Sequence, residues 1–213
     1  MTLQTHTLSK VAAALLICGL AAHAHASGTV VLDTYQSDIS WLDGWPNPLA
    51  QGQDIAIPFA LADATSIQSI LTSIERTDGS GGVTVGILAR GGALPSGANW
   101  LYSTHLANPV VNTLLTPSGW ALDAGSYWLV AVPDSGFIGQ WQSATSDPTA
   151  NWARSTSTGA WVTVDSPFIG MPAARITVTS AVPEPSTYGL MFAGGLLLAA
   201  AARRRKSNAS QQG

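Results

Sequence analysis

Through the middle of the chain, apolar and polar positions alternate with a period of two. Ile55, Ile57, Phe59 and Leu61 share one face of residues 53–61, and Val83, Val85, Ile87 and Ala89 share one face of VTVGILAR. WLYSTHL repeats the pattern with Trp100, Tyr102, Thr104 and Leu106, and AARITVT repeats it with Ala174, Ile176 and Val178. AWVTV adds a further short run. Such alternation predicts strands that bury one face. SYWLVAV has apolar residues at both parities, which predicts a central strand covered on both sides. DGSGG, RGGALPSG, LDAGS, PDSG and SDPTA separate these runs. Each is rich in residues that form tight turns or accept positive φ.

One segment breaks the period. In TSIQSILTSIER, Ile67, Ile70, Leu71 and Ile74 have helical spacing, yet five neighbouring positions are Ser or Thr, which lower helix propensity. Residues 65–76 are read as a strand, with a short helix as the alternative. Short strands joined by tight turns predict an all-β fold over residues 27–180, an antiparallel β-sandwich of jelly-roll-like form. A segment of about 150 residues is a usual domain size and buries a core without metal or disulfide. The eight tryptophans are expected to supply much of that core.

The two ends have a different character. Residues 1–26 carry the three regions of a secretory signal: a polar start with Lys10, an apolar run over 11–22, and AHAHA. An apolar run of about a dozen residues is too short to span a bilayer. Ala24 and Ala26 frame the best cleavage site, which makes Ser27 the first mature residue; cleavage after Ala24 is the second choice. The implied partners are signal peptidase and the general secretion machinery. Cys18, the one cysteine, lies inside this segment behind Ile17, where a lipoprotein site needs a small residue. The mature chain therefore has no disulfide framework and no thiol chemistry.

Without its ends the chain is acidic. Residues 27–182 hold four arginines (Arg76, Arg90, Arg154 and Arg175) against eleven acids, a net charge of −7. Nucleic-acid binding needs clustered positive charge and is excluded. His105 is the only histidine of the mature domain, which rules out a histidine metal site and leaves a Ser-His-acid triad dependent on it alone. No G-x-S-x-G, H-E-x-x-H or G-x-x-x-x-G-K pattern occurs. His105 is expected on a solvated polar face, with no cofactor or metal required. Asp78, Asp123 and Asp134 sit in turn signals, where they are expected to bond to backbone. Calcium at one such loop is an alternative without its usual D-x-D-x-D-G pattern.

Tryptophans set among small polar residues suggest sugar contacts, because a flat ring beside amide and hydroxyl groups matches a pyranose. Trp141, Trp152, Trp41 and Trp45 are the candidates. The alternative is that such rings fill the core, which is favoured for Trp128.

After Thr179, VPEP forms a stiff spacer. The apolar run over 188–202 is 15 residues long, about 22 Å as a helix, against a bilayer core of about 30 Å. It is read as a short single transmembrane helix loosened by Gly189, Gly194 and Gly195. Arg203, Arg204, Arg205 and Lys206 fix that end in the cytoplasm. With the signal cleaved, the domain lies outside. A polar tail, 208–213, closes the sequence.

The order Val182-Pro183-Glu184-Pro185, glycine-containing helix and basic cluster resembles the PEP-CTERM sorting signal of Gram-negative bacteria, over residues 181–207. That resemblance implies an exosortase as processing partner, Pro183, Glu184 and Pro185 as its recognition element, and removal of the tail; a permanent anchor is the alternative. FALADATSIQSILTSI, GGVTVGILARGGALPSG and LDAGSYWLVAV resemble the choice-of-anchor type of β-sandwich domain, which transfers no catalytic residue. The expectation is an exported, non-catalytic surface or matrix protein, tethered transiently at the inner membrane and associated with exopolysaccharide. A carbohydrate-binding module and a secreted hydrolase using His105 or paired carboxylates are the alternatives.

Overall fold

The computed structural model describes residues 28–35, 45–96, 99–143, 151–165, 169–180, 189 and 192–196. The chain divides into two units, Gly28–Ala181 and a second made of Met1–Ser27 with Val182–Gly213. In the second unit the described residues are helical, and Phe192 and Leu196 are exposed. No helix among the described residues is long and apolar enough to cross a membrane. The expected signal segment and its cleavage residues, the motif Val182–Pro185 and the cluster Arg203–Lys206 lie outside the described residues, as does most of the apolar run 188–202.

The first unit is all-β. Its described strands are, in order, β1 (Thr29–Asp33), β2 (Asn47–Ala50), β3 (Ile55–Leu61), β4 (Thr65–Thr72), β5 (Ile74–Gly79), β6 (Val83–Ala89) and β7 (Trp100–Leu106). Then come β8 (Thr113–Leu115), β9 (Ala121–Leu122), β10 (Gly125–Pro133), β11 (Phe137–Trp141), β12 (Trp152–Ser155), β13 (Trp161–Val164) and β14 (Ala174–Ser180). A six-stranded sheet runs β13-β12-β3-β10-β6-β7; a second runs β1-β14-β4-β8 with β9 also on β4; a third runs β2-β11-β5. The strand pairs are antiparallel.

The expected central strand is β10. Leu129 pairs with Ile57 on one side and Ile87 on the other, and the three form a closed row of branched side chains. They face a core shared with Ile70 and Ile176 of the second sheet and with Leu49, Phe137 and Trp141 of the third. The core is mainly aliphatic, against the expectation that tryptophan would dominate it. The opposite parity of β10 builds a separate cluster on the other face: Trp128 and Val130 pack with Ala56, Leu88 and Ala153 under Trp100, Leu94 and Trp161. Trp128 is thus buried as expected, but outside the main core.

Two β-bulges explain where simple alternation misleads. Against β14, the register of β4 shifts so that Ile67 and Ser69 pair with consecutive residues and Gln68 is extra. An extra residue re-aims the side chains C-terminal to it, so Ile67 and Ile70 both face the core although three apart. Ser73 then separates β4 from β5, which belongs to a different sheet. The apparent helical spacing is a bulge succeeded by a change of sheet, and the strand reading of 65–76 holds. On β7, Ile87 pairs with Tyr102 but Leu88 with Trp100. Leu101 is the extra residue, and it sends Trp100 to the face opposite Tyr102, correcting the expected shared face. Gly86 makes room there, since a Cβ on it would lie 2.8 Å from Cε3 of Trp100.

Candidate functional site

The site lies where β12 meets the start of β3. Only two pairs join these strands, Ala153 with Ala56 and Arg154 with Ile55. Period two puts Trp152 and Arg154 on one face of β12, and β2 brings Asn47 towards them. The cavity between has a volume of about 720 Å³, within the roughly 300–1,000 Å³ range of ligand pockets.

Its deep wall is built from buried Ile55, Asn47 and Trp152, the last 3% exposed. Its outer lining includes Trp45, which is 77% exposed, together with Gln53, Arg154 and Thr156. The polar wall is braced from behind. Asn47 Nδ2 donates to Ser143 Oγ at 2.6 Å and to the Gly170 carbonyl at 3.3 Å, which ties β2 to the segment carrying Ile169. Ser155 Oγ donates to the Gly52 carbonyl at 3.2 Å and accepts from the Asp54 N–H at 2.7 Å. The Gln53 N–H donates to Ala50 at 2.8 Å, closing the turn that presents Gln53 beside β12. Asp54 stands behind this turn and does not line the cavity. Burial pushes its carboxyl above the ordinary carboxylate value, partly opposed by the Ser155 hydroxyl beside it.

Arg154 differs from the other three arginines of the unit. Arg175 pairs with Asp33 at 2.9 Å, Arg76 donates to the Gly81 carbonyl at 3.0 Å, and Arg90 lies over the Trp128 ring. Arg154 is exposed and has no hydrogen bond, ion pair or ring contact among the described residues. Among the described residues no acid lines the cavity with it.

The structure therefore sorts the four candidate tryptophans. Trp45 and Trp152 come together in the cavity. Trp141 does not: it is 0% exposed, in the core, with its indole N–H bonded to Ala173. A ring enclosed on all sides offers no face to a sugar, which corrects its candidacy. Trp41 lies outside the described residues. Arg154 and Gln53 were missed. The Trp-x-Arg spacing in NWARS places Trp152 and Arg154 on one strand face, and that signal is open to sequence reasoning.

His105 has a partner that sequence reasoning did not find. Its Nε2 lies 2.8 Å from Asp134 Oδ2, with the two side chains 49% and 38% exposed. The same oxygen accepts the Gly82 N–H at 2.8 Å. Both contacts, the histidine first, hold the Asp134 carboxyl below its ordinary value. The pair braces the β6–β7 hairpin against the turn before β11, away from the cavity. Asp78 Oδ1 bonds its own turn at the Gly79 N–H, as expected, whereas at Asp123 it is the backbone carbonyl that accepts, from Tyr127. Asp33 is held by Arg175, while Asp38 and Asp43 lie outside the described residues. Among the described residues no three His, Cys, Asp or Glu converge in a metal-holding group.

An all-β unit with a surface cavity, and beyond it a basic-ended apolar tail, defines an exported-type architecture more than an activity. Residues 181–206 match the PEP-CTERM protein-sorting motif. The match supports an exosortase-sorted, exported protein that passes the membrane as a sorting intermediate. It does not reach the β unit. No curated protein and no solved structure matches the chain.

Proposed function

We propose that the protein is a non-catalytic, polysaccharide-binding component of the cell surface or extracellular matrix. In this reading residues 1–26 are a signal removed before Ser27 by signal peptidase. The run 188–202 is a transmembrane helix that holds the chain at the inner membrane until exosortase cuts at Pro183–Pro185. The released β unit, a choice-of-anchor-type sandwich, then associates with exopolysaccharide. The observation that carries the binding role is the cavity that joins an exposed Trp45 ring to the polar groups of Gln53 and Thr156. Ring stacking against the apolar face of a pyranose, with amide and hydroxyl groups to its side, is the chemistry such a surface supplies. Affinity electrophoresis of the full-length chain in gels holding the host's own exopolysaccharide tests it. Retardation that Trp45→Ala removes is expected, and equal mobility of the two proteins in every gel would sink the reading.

A hydrolase has weaker support. The His105–Asp134 pair lies outside the cavity, and both members are engaged with the backbone scaffold or each other.

A further inference from the structure

We infer that the cavity selects acidic polysaccharide, with Arg154 receiving the carboxylate of a uronate residue while Trp45 stacks on its ring. This rests on the polysaccharide-binding reading and goes beyond it in naming the ligand class.

The first ground is the state of Arg154. In a unit with only four arginines, three have partners within the fold, and the one with none among the described residues is the one lining the cavity. An exposed guanidinium with no partner among the described residues is available to a ligand. Its planar fork accepts a carboxylate through two parallel N–H···O bonds, which an ammonium cannot reproduce.

The second ground is the charge around it. The unit carries −7, so its long-range field repels a polyanion. Charged groups beyond about 8 Å are largely screened at physiological ionic strength, however. Among the described residues no acid lines the cavity, and Asp54, between Gln53 and Ile55 in sequence, is not part of the lining. Among the described lining residues Arg154 carries the one formal charge, on a unit that is acidic as a whole. That arrangement disfavours indiscriminate binding of polyanions and admits a carboxylate that sits on Arg154 itself.

The third ground is the ring. A free carboxylate or acidic peptide would use Arg154 but leave the 77% exposed Trp45 idle. A uronate presents a carboxylate and an apolar ring face in one residue. Gln53 and Thr156 stand in the same lining for its hydroxyls.

The test is affinity electrophoresis of the full-length chain at fixed ionic strength with polygalacturonate, alginate and hyaluronate. Methyl-esterified polygalacturonate and polyglutamate serve as the neutral and ring-free comparisons. Binding to at least one uronate polymer is expected, weakened about tenfold by Arg154→Gln and only partly restored by Arg154→Lys. Methyl esterification should cost a similar factor, and Trp45→Ala should abolish binding to acid and ester alike. Because the Arg154 side chain has no partner among the described residues, unchanged thermal melting of Arg154→Gln checks that the effect is local. Equal, Trp45-dependent binding of acid and ester polymers would overturn the acid selectivity and leave the polysaccharide reading standing. Polyglutamate binding as tightly as a uronate polymer would overturn the ring-stacking geometry. Binding to the host polysaccharide with no response to any uronate polymer also overturns this inference, whereas binding to no polysaccharide at all removes both readings.

Discussion

The indole N–H of Trp141 donates to the backbone carbonyl of Ala173 at 2.9 Å, inside the core and 32 residues away in sequence. Trp128 is nearly as buried, yet its Nε1 has no hydrogen-bond partner among the described residues. The two rings therefore respond differently to loss of the N–H. Trp141→Phe forfeits a buried bond worth about 1 kcal/mol and leaves unfilled volume, for a total of about 2–4 kcal/mol. Trp128→Phe also loses volume and weakens the contact with Arg90, whose guanidinium lies 4.7 Å from the ring centroid. It removes an unsatisfied donor that costs about 1–3 kcal/mol, however, and should stay within about 1 kcal/mol of the parent. Urea unfolding of both variants decides this; a larger cost at Trp128 would contradict it.

Tyr35 sets an alkaline limit on stability. Its ring is buried at the end of β1, and its hydroxyl lies 2.7 Å from Ser73 Oγ. Ser73 Oγ donates its one proton to Asn112 Oδ1, also at 2.7 Å, so Tyr35 is the donor to Ser73. Burial pushes the phenol up from 10.0 to about 12. Below pH 10 the tyrosine is neutral whether folded or unfolded. Between 10 and about 12 only the unfolded chain gives up the proton, so stability falls across that window by up to roughly 3 kcal/mol. Tyr35→Phe should lower stability at neutral pH through the lost hydrogen bond, and should flatten this alkaline fall. Tyr127, also raised by burial, will keep part of the slope. A fall of unchanged steepness in Tyr35→Phe would assign it elsewhere.

The acid limb belongs partly to Asp134. Its carboxyl is held below the ordinary value by His105 and the Gly82 N–H. A depressed carboxylate stabilises the fold above its unfolded value of about 4, and this contribution is lost as pH falls through the lower folded value. Both side chains are more than a third exposed, so the effect is small and salt-sensitive. Asp134→Asn keeps an oxygen for the Gly82 N–H but no charge. It should destabilise slightly at pH 7 and make the loss of stability below pH 4 shallower, as read by thermal melts across pH. An acid limb identical to the parent's would show that the pair contributes nothing.

Strand content was legible in the sequence because period two survives in β3, β6 and β14, where one face meets a continuous core, and because apolar residues at both parities mark β10 as covered on both sides. It failed at Gln68 and Leu101, because a bulge depends on the partner's register and leaves no local mark. Trp128 was legible as buried but not as belonging to a second cluster, since parity fixes a face without saying what covers it. The cavity was only half legible. Trp45 and Trp152 stand out by type, but their meeting with Gln53 depends on the pairing of β12 with β3 and on the placement beside them of β2, which belongs to another sheet. His105 and Asp134, 29 residues apart, are likewise brought together because β6 pairs with both β7 and β10.

The tail carries the clearest prediction of fate. The PEP-CTERM match spans 181–206, so it includes both the Pro-Glu-Pro element and the basic cluster. Proline fixes φ and lacks an N–H donor, so Pro183 and Pro185 disfavour regular helix and sheet. Glu184 supplies the one charge between them. Glu184→Gln preserves shape and removes charge, whereas Pro183→Ala with Pro185→Ala keeps charge and loosens the backbone. Both should leave the tail attached, and mass spectrometry of the exported protein then finds Arg203–Lys206 still present. The parent should begin at Ser27 and lack that cluster. Replacing Arg203, Arg204, Arg205 and Lys206 with Gln tests the proposed orienting role of the cluster: if it holds, processing should fail while the recognition element stays intact. Recovery of the parent from the cell surface with its basic cluster in place would refute removal of the tail and favour a permanent anchor.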